Sequence, residues 1–368
     1  MKMQFSMRNV MILKEKTCER FFSEVRSRDG IFVCTIATTE TALIPGISAA
    51  GATPELRRYT AQADVEYLYY GKVLTIKEIP KNPLGPPSPV IITKAACNLM
   101  DIPILIIDAG CEVKPKVPSI VLRKEGLRCI TTGKAFGGGK SLIQKAKVLA
   151  EEFSKLERYV VLGESVPGGT TTALSLLTFL GIDAMGKVSS SMVDNAHELK
   201  EKIVLKAYKN AKLDSKYIVK NPVKIVESVG DSMQLVNAVL TIYLSQKVPV
   251  ILAGGTQMLA VAAFIDVLSK YLKEDVNWKN ISVATTRWVA VDKNADFIGL
   301  AKAVKPLKYV FAANLNFSES KFEGLRGYEK GLVKEGVGAG GIVTAGFVKQ
   351  LFSHEEILHE IEKLFASM

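Results

Sequence analysis

Three glycine-rich segments contain the residue types that could bind a phosphate group and hold one acid or base beside it. They span residues 163–172 (GESVPGGTTT), 252–256 (LAGGT) and 335–341 (EGVGAGG). The first two follow apolar runs typical of buried strands and precede helical patterns. Unpaired backbone N–H groups and the positive end of a helix dipole therefore coincide at each turn, which suits an anion. The third segment holds Glu335 among glycines, where a bulky ligand can approach the backbone. The expected chemistry is phosphate binding beside one placed carboxylate.

The two Gly/Thr turns supply the candidate phosphate-binding residues. These are Gly168, Gly169, Thr170 and Thr171 in the first turn and Gly254, Gly255 and Thr256 in the second. One such turn alone is more often structural, because glycine also permits close packing of a helix on a strand. Two turns after buried strands favour a shared anion site. The two adjacent threonines either donate hydroxyl groups to the anion or act as helix N-caps.

The elements around these segments predict an α/β fold. Strand-like runs occupy residues 31–36, 90–93, 102–108, 159–162, 248–253, 281–285 and 308–312, and helical patterns occupy 141–153, 171–180, 232–245, 259–272 and 353–365. Continuous apolar strands alternating with helices indicate a doubly wound, mostly parallel, Rossmann-like sheet with helices on both faces. Ligands of such sheets bind beyond the carboxyl ends of the strands, where the glycine turns belong. This large domain is predicted over 31–315, with a small, mainly helical domain formed by 1–30 and 316–368.

Composition narrows the functional class. The chain has 368 residues, 48% of them hydrophobic and 23% charged, and a net charge of +11. Its basic residues are scattered among acids with no aromatic-interleaved stripe, so no nucleic-acid partner is expected. The five cysteines include no CxxC pair and the three histidines no HExxH, so no metal or other cofactor is expected. Free thiols and the closely spaced charges of 1–16, which exclude a secretory h-region, favour the cytoplasm.

Three further segments resemble elements or motifs of other protein classes. Residues 248–265 carry no charge, but Gly254 and Gly255 divide them into a strand and a helix rather than a membrane span. Residues 133–141 (GKAFGGGKS) imitate a P-loop, yet the first glycine of that pattern falls on Lys134, so the spacing fails. An ATP-dependent enzyme using Lys140 stays a minor alternative. Residues 80–89 (PKNPLGPPSP) exclude helix and central strand, and a stiff surface connector is favoured over a lid.

At the glycine segments the chain resembles the nicotinate-nucleotide–dimethylbenzimidazole phosphoribosyltransferases of cobalamin nucleotide-loop assembly, in particular their divergent archaeal branch. The family's GEMGIGNTT segment aligns without a gap on 163–171. Five residues match, namely Gly163, Glu164, Gly168, Thr170 and Thr171; Val166 and Gly169 replace the family's glycine and asparagine, and Pro167 replaces an aliphatic residue. The family's LGEGTGA loop is similar to 333–339, which places Glu335 on the catalytic glutamate and Gly338 among the ligand-binding glycines.

Other matches are shorter. The family's phosphate-contacting lysine resembles Lys202, with Lys200 as the alternative. Residues 46–49 (GISA) are similar to the family's GVSA, which implies Ser48 beside the base, and Gln62 resembles a second base-contacting residue across an insertion. The resemblance implies transfer of phosphoribose from nicotinate mononucleotide to dimethylbenzimidazole or a related base by a homodimer, with Glu335 as general base and Glu164 beside the ribose. A nucleotide-binding sensor or chaperone without transferase activity is the alternative.

Overall fold

The computed structural model describes residues 9–15 and 17–368. Within these residues the strands are β1 (Val10–Lys14), β2 (Gly30–Ile36), β3 (Ile104–Asp108), β4 (Ile120–Val121), β5 (Tyr159–Ser165), β6 (Val250–Ala253), β7 (Ile281–Thr286) and β8 (Tyr309–Ala313). The α-helices are α1 (Glu19–Arg26), α2 (Thr60–Tyr70), α3 (Val90–Met100), α4 (Gly139–Ser154), α5 (Gly169–Phe179), α6 (His197–Ala211), α7 (Tyr217–Lys220), α8 (Pro222–Val229), α9 (Ser232–Leu244), α10 (Thr256–Leu272), α11 (Arg287–Ala290), α12 (Phe297–Ala303), α13 (Glu323–Arg326), α14 (Ala339–Lys349) and α15 (His354–Ala366).

The strands form one sheet in the order β1-β8-β7-β6-β5-β2-β3-β4. β1 runs antiparallel to β8, and the other neighbours are parallel. From β2 the chain moves outward to β3 and β4, then returns to the opposite side of β2 and proceeds from β5 to β8. The loops after β2 and β5 therefore leave in opposite directions. Such a switch point opens a crevice at the carboxyl ends of the strands.

Both faces of the sheet are buried, because successive side chains of each strand point to opposite faces. In β5, Val160 and Leu162 join one hydrophobic cluster, with residues of α4, α5, α8, α9 and α10. Tyr159 and Val161 join a second cluster on the other face, with residues of α1, α2, α3, α14 and α15. The predicted doubly wound α/β fold with helices on both faces is confirmed.

Two local predictions were wrong. Residues 90–93, predicted as a strand from their β-branched run, begin the helix α3 after Pro89. That helix is buried along most of its length, and a continuous apolar run cannot distinguish a buried helix from a buried strand. The segment 1–30, predicted as part of a mainly helical domain, contains the edge strand β1 as well as α1 in its described residues.

The partition into a domain over 31–315 and a helical domain from both ends stays a prediction. Side chains from both parts meet in the second cluster, where Phe22 of α1 and Phe347 of α14 are buried together with Phe32 of β2. The charges of residues 1–8 and Lys16, on which the leader prediction partly depended, lie outside the described residues. Among the residues that are described, none of the helices combines the length and the apolar character that a membrane crossing requires.

Candidate active site

One cleft lies at the switch point, beyond the carboxyl ends of β5 and β6. Its volume is about 860 Å³ when counted to its open mouth. It is lined by the end of β5, the turns after β5 and β6, the segment after β2, the start of α2, the proline-rich segment, the serine-rich segment 189–191 and the loop before α14. Of the predicted site residues, the cleft is lined by Ser48, Glu164, Gly168, Gly169, Thr170, Gly255, Thr256 and Glu335.

The turn after β5 leads directly into a helix N-terminus. Gly168 has φ +78° and is the N-cap of α5. The amide of Gly169 donates to Val166 O at 2.8 Å and that of Thr171 to Gly168 O at 2.9 Å. Within the described residues the amides of Gly168 and Thr170 have no acceptor, so these two are free for an anion. The side chain of Thr171 is buried away from the cleft and has no hydrogen-bond partner there.

Replacing Gly168 by alanine is expected to destabilise the protein more than replacing Gly181. Both glycines have positive φ, at +78° and +86°, so both replacements carry a backbone strain of about 1–2 kcal/mol. A Cβ on Gly168 would lie 3.0 Å from Ala42 Cα and N, whereas a Cβ on Gly181 meets nothing within 4 Å. Overpacking should add about 1–3 kcal/mol at Gly168 alone. Urea denaturation measures the difference, and equal losses would contradict the close approach to Ala42.

The turn after β6 offers fewer free backbone amides to a ligand than its sequence predicted. The amide of Gly254 donates to Ala284 O at 2.9 Å, and Gly254 does not line the cleft. Gly255 and Thr256 do line it, at the start of α10. Thr256 Oγ1 accepts from the amide of Ser189 at 3.3 Å, which ties the segment 189–191 to this turn. Backbone donors at the second turn therefore come from its last two residues.

Glu335 lies at the start of the loop that leads into α14 and is partly exposed to the cleft. Its Oε2 accepts from Thr286 N at 2.8 Å and from Thr285 Oγ1 at 3.1 Å. Its Oε1 accepts from Gly336 N at 3.1 Å and from Gly340 N at 3.2 Å. Burial raises the pKa of Glu335 to about 7, and these hydrogen bonds oppose the shift. The carboxyl is thus fixed in place and titrates near neutral pH, as suits a general base.

The glycines after Glu335 serve packing more than ligand approach. Gly338, at φ +73°, lies against Gly163 of β5, where a Cβ would be 3.0 Å from Gly163 Cα. A Cβ on Gly340 would lie 1.9 Å from the carbonyl carbon of Thr285, so α14 rests directly on β7. Gly338 does not line the cleft, contrary to the expectation that ligand approach explains this glycine.

Glu164, the sixth residue of β5, is 4% exposed. Its Oε2 accepts from Val166 N at 2.9 Å, and its backbone carbonyl accepts from Val337 N at 3.0 Å, so β5 holds the Glu335 loop. Burial raises the pKa of Glu164 to about 8, helped by the charges of Asp231 and Glu335 and opposed by hydrogen bonds that include one from Gln257. The two glutamates therefore share one end of the cleft.

The lysines differ from the sequence expectation. Lys202 is exposed on α6 and does not line the cleft. Lys200 is fully buried, and its Nζ donates to Asn195 O at 2.6 Å. Lys334 does line the cleft, and its Nζ donates to Asp292 Oδ2 at 2.7 Å and to Asn195 Oδ1 at 3.0 Å. Burial lowers the pKa of Lys200 to about 7. Lys334 Nζ also donates to Met192 O at 2.9 Å, so its three donors are used within the protein and its charge is paired with Asp292.

Only one of the two residues predicted to contact the base lines the cleft. Ser48 lines the cleft, and its Oγ accepts from Ala50 N at 3.1 Å. Gln62 is buried, its Nε2 donates to Val113 O, and it does not line the cleft. Asp64, two residues after Gln62 in α2, does line the cleft. Asp64 was not predicted from the sequence. An acidic residue among the apolar residues of a helix is the one signal that could have indicated it, and this signal points to the cleft only when the direction of α2 is known.

The proline-rich segment 80–89 forms a wall of the cleft rather than a remote surface connector. Ser88 N donates to Pro80 O at 2.8 Å, which brings its two ends together. Asn82 Nδ2 donates to Leu332 O at 2.6 Å and to Ser191 O at 3.2 Å, so hydrogen bonds hold the segment to two other parts of the lining.

The P-loop-like segment 133–141 lies outside the cleft lining. Gly139 N, at the start of α4, donates to Glu227 Oε1 at 2.7 Å, and Lys140 is exposed.

The fold is that of the nicotinate-nucleotide–dimethylbenzimidazole phosphoribosyltransferases. A solved structure of such an enzyme from Thermus thermophilus superposes with a TM-score of 0.60 at 15% identity, covering 94% of this chain and 92% of that one. CobT from the same organism gives a TM-score of 0.60 at 14% identity, covering 94% and 90%. At these identities the likeness concerns the fold, and the resemblance predicted from the glycine segments is confirmed at that level.

The sequence relatives define the family. The chain is 44% identical over 356 residues to the UPF0284 protein of Crocosphaera subtropica, covering 94% of this chain and 95% of the relative. It is 43% identical to the UPF0284 protein of Pyrococcus furiosus, covering 92% and 98%, and 42% identical to that of Sulfurisphaera tokodaii, covering 91% and 92%. No protein-family model matches the chain. The chain belongs to the UPF0284 family, whose members occur in archaea and cyanobacteria.

Proposed function

We propose that this protein transfers the phosphoribosyl group of nicotinate mononucleotide to 5,6-dimethylbenzimidazole or a related base, giving α-ribazole 5′-phosphate and nicotinate, in cobalamin nucleotide-loop assembly. One observation carries the proposal: Glu335, Glu164 and the turns after β5 and β6 line one cleft at the switch point of the sheet. The enzymes that share the fold are named for this reaction. Identity with them is too low to carry the activity over without the site.

The first task is to anchor the 5′-phosphate. The free amides of Gly168 and Thr170, together with the start of α5, provide donors and a positive dipole end. Thr256 lines the same cleft and adds a hydroxyl group. Lys202 lies outside the cleft lining, so anchoring depends on backbone donors. Holding the phosphate away from the reacting carbon orients the ribose, which supplies several kcal/mol of the barrier.

The second task is proton removal. A ring nitrogen of the base attacks C1′ of the ribose, the bond from C1′ to the pyridinium nitrogen breaks, and its electron pair leaves with nicotinate. The configuration at C1′ inverts. The other ring nitrogen of the base loses its proton to the carboxylate of Glu335. With its pKa near 7, Glu335 is substantially ionised at neutral pH and basic enough to accept the proton.

The third task is to stabilise positive charge on the ribose, as in glycoside chemistry. Glu164 is the buried acid beside the Glu335 loop. Its raised pKa keeps it protonated at pH 7 before the substrate binds. A cationic pyridinium or an oxocarbenium-like ribose favours the ionised form, so the carboxylate is generated when the substrate arrives. Because the leaving group is already cationic, the step needs no metal. We also propose that the protein acts in the cytoplasm as a homodimer.

A specific observation favours the alternative of a nucleotide-binding sensor or chaperone. All four donors around Glu335 come from the protein itself: Thr285, Thr286, Gly336 and Gly340. A carboxylate held in this way also serves to fix the start of α14 on the sheet. In a protein that only binds, this structural role accounts for Glu335 without any transfer step.

Nicotinate release separates the two functions. The purified protein is incubated with nicotinate mononucleotide, with and without dimethylbenzimidazole, and free nicotinate is quantified by chromatography. The transferase is expected to release nicotinate only when a base is present, with α-ribazole 5′-phosphate formed in equal amount. Calorimetric binding of the mononucleotide without base-dependent release, over a panel of benzimidazole and purine bases, would select the binding protein instead.

A further inference from the structure

A buried carboxyl that the proposed transfer does not use faces the cleft from α2. Asp64 is 3% exposed. Its Oδ1 accepts from Ser88 Oγ at 2.7 Å, and its Oδ2 accepts from Ser165 Oγ at 2.7 Å. All three side chains line the cleft. These three residues, here named the Asp64 cluster, join α2, the proline-rich segment and the end of β5 at one point.

The Asp64 cluster lies at the end of the cleft that holds Glu335. Gly336 packs against Pro89, the residue after Ser88, and a Cβ on Gly336 would lie 3.4 Å from Pro89 Cγ. Tyr328 Oη donates to Pro87 O at 2.8 Å, beside Ser88, and burial, followed by the charges of Asp64 and Glu335, raises the pKa of Tyr328. The attacking base has to reach Glu335 to lose its proton. The Asp64 cluster therefore borders the space that the base occupies.

The hydroxyl groups of this wall can only accept hydrogen bonds from a ligand. An ionised carboxylate is an acceptor without a hydrogen of its own, so both serines donate their hydroxyl hydrogens to Asp64. Ser88 Oγ also accepts from Val90 N at 3.4 Å. Both serines line the cleft, and each hydroxyl oxygen keeps at least one acceptor lone pair for a ligand. Thr60 Oγ1 behaves in the same way, because it donates to Ala50 O at 2.8 Å. A base that fits this wall has to bring donors with it.

Given the transferase function proposed above, we infer that the Asp64 cluster selects a fused imidazole base whose six-membered ring carries an N–H or O–H donor, in preference to one that carries methyl groups there. Dimethylbenzimidazole has no such donor and would leave the remaining acceptor lone pairs of the Ser88 and Ser165 hydroxyl groups unfilled. An acceptor that a ligand covers without replacing its hydrogen bond to water weakens the complex. Sites built to hydrogen-bond a substrate group therefore reject analogues that lack it far more strongly than sites that merely fit a shape.

Two bases of nearly equal size provide the test. 5-Aminobenzimidazole and 5-methylbenzimidazole differ by an amino and a methyl group, so their ratio isolates the hydrogen bond. The assay is run at about pH 8.5, above the value of about 7 to which burial raises the pKa of Asp64, so that the carboxyl is ionised. The wild-type protein is expected to show at least about a tenfold higher kcat/KM for the amino compound.

Serine variants test whether the Asp64 cluster causes this preference for the amino compound. Ser165→Ala removes one of the two acceptor oxygens and is expected to reduce the ratio to about threefold or less, and Ser88→Ala serves if the first variant does not fold. Ser282→Ala is the matched control, because Ser282 is a buried serine of β7 whose hydroxyl has no partner within the described residues. It should keep the wild-type ratio. Calorimetric titration of both bases gives the same comparison without turnover.

The outcomes distinguish this inference from the function on which it rests. Equal use of the two bases, or better use of the methyl compound, overturns the inference while base-dependent nicotinate release still supports the transferase. An unchanged ratio in both serine variants removes the Asp64 cluster as its source. If no base supports nicotinate release, and calorimetry detects binding of neither base, both the proposed function and the inference fail.

Discussion

Glu335→Gln is expected to lower kcat for phosphoribosyl transfer by about 10²- to 10⁴-fold, the range that a general base contributes. Glutamine keeps the shape of the side chain but cannot take a proton from the attacking base. The affinity for nicotinate mononucleotide, measured by calorimetry, should stay within a few-fold, because the phosphate binds at the turns after β5 and β6. Transfer within a few-fold of wild type would remove the catalytic role.

A matched variant separates chemistry from structure. Thr285→Val deletes one donor to the same carboxylate and leaves the carboxylate in place. The Thr285 hydrogen bond lowers the pKa of Glu335, so its loss should raise that pKa. The wild-type kcat/KM is expected to rise with pH through about 7 as Glu335 ionises, and the rise should move to higher pH in Thr285→Val. A structural role alone predicts lower stability with no such movement.

Glu164→Gln is expected to be the variant with the largest gain in stability at alkaline pH. The pKa of Glu164 is raised to about 8, chiefly by burial, from an ordinary value of 4.5. Between these values the folded protein binds a proton that the unfolded chain has lost, so the free energy of unfolding falls as pH rises from about 4.5 to 8. Glutamine cannot ionise and avoids this loss, which is on the order of 4 kcal/mol at about pH 8.

Urea denaturation of the wild-type and variant proteins at a series of pH values tests this result. Asp64 and Glu335 contribute with the same sign as Glu164, since burial raises both pKa values to about 7. Lys200 acts oppositely above pH 7, because burial lowers its pKa. These contributions are common to both proteins, so the difference reports Glu164. Glu319→Gln, at an exposed position, should run parallel to wild type, and a parallel line for Glu164→Gln would contradict the assigned burial effect.

Much of the fold could be predicted because its signals are local. Apolar runs at 102–108, 159–162 and 248–253 coincide with β3, β5 and β6, since a strand buried on both faces needs apolar side chains throughout. The turns at Gly168 and Gly255 could be located for a similar reason: a strand that passes directly into a helix needs glycine there. Glu335 and Glu164 followed from the same segments, and the structure brings both to one cleft.

Other features depend on which segments meet in space. The run at 90–93 is helical because α3 is enclosed by neighbouring helices, which no local pattern reports. Lys202 is exposed on α6 while Lys200, two residues before it, is buried with its Nζ on Asn195 O, and neither lines the cleft. Gly338 is needed for close packing on β5 rather than for a ligand.

By itself, the sequence determined the class of fold, the positions of the two glycine turns after β5 and β6, and Glu335 as the candidate glutamate. Each of these follows from the chemistry of a few consecutive residues. Only the tertiary structure decided that the proline-rich segment forms a wall of the cleft, that Asp64 rather than Gln62 lines it, and that the serines at 88 and 165 are hydrogen-bonded to Asp64 there. Those properties belong to contacts between segments up to 250 residues apart in the sequence. Such contacts depend on how the chain closes the sheet at its switch point, not on any local pattern.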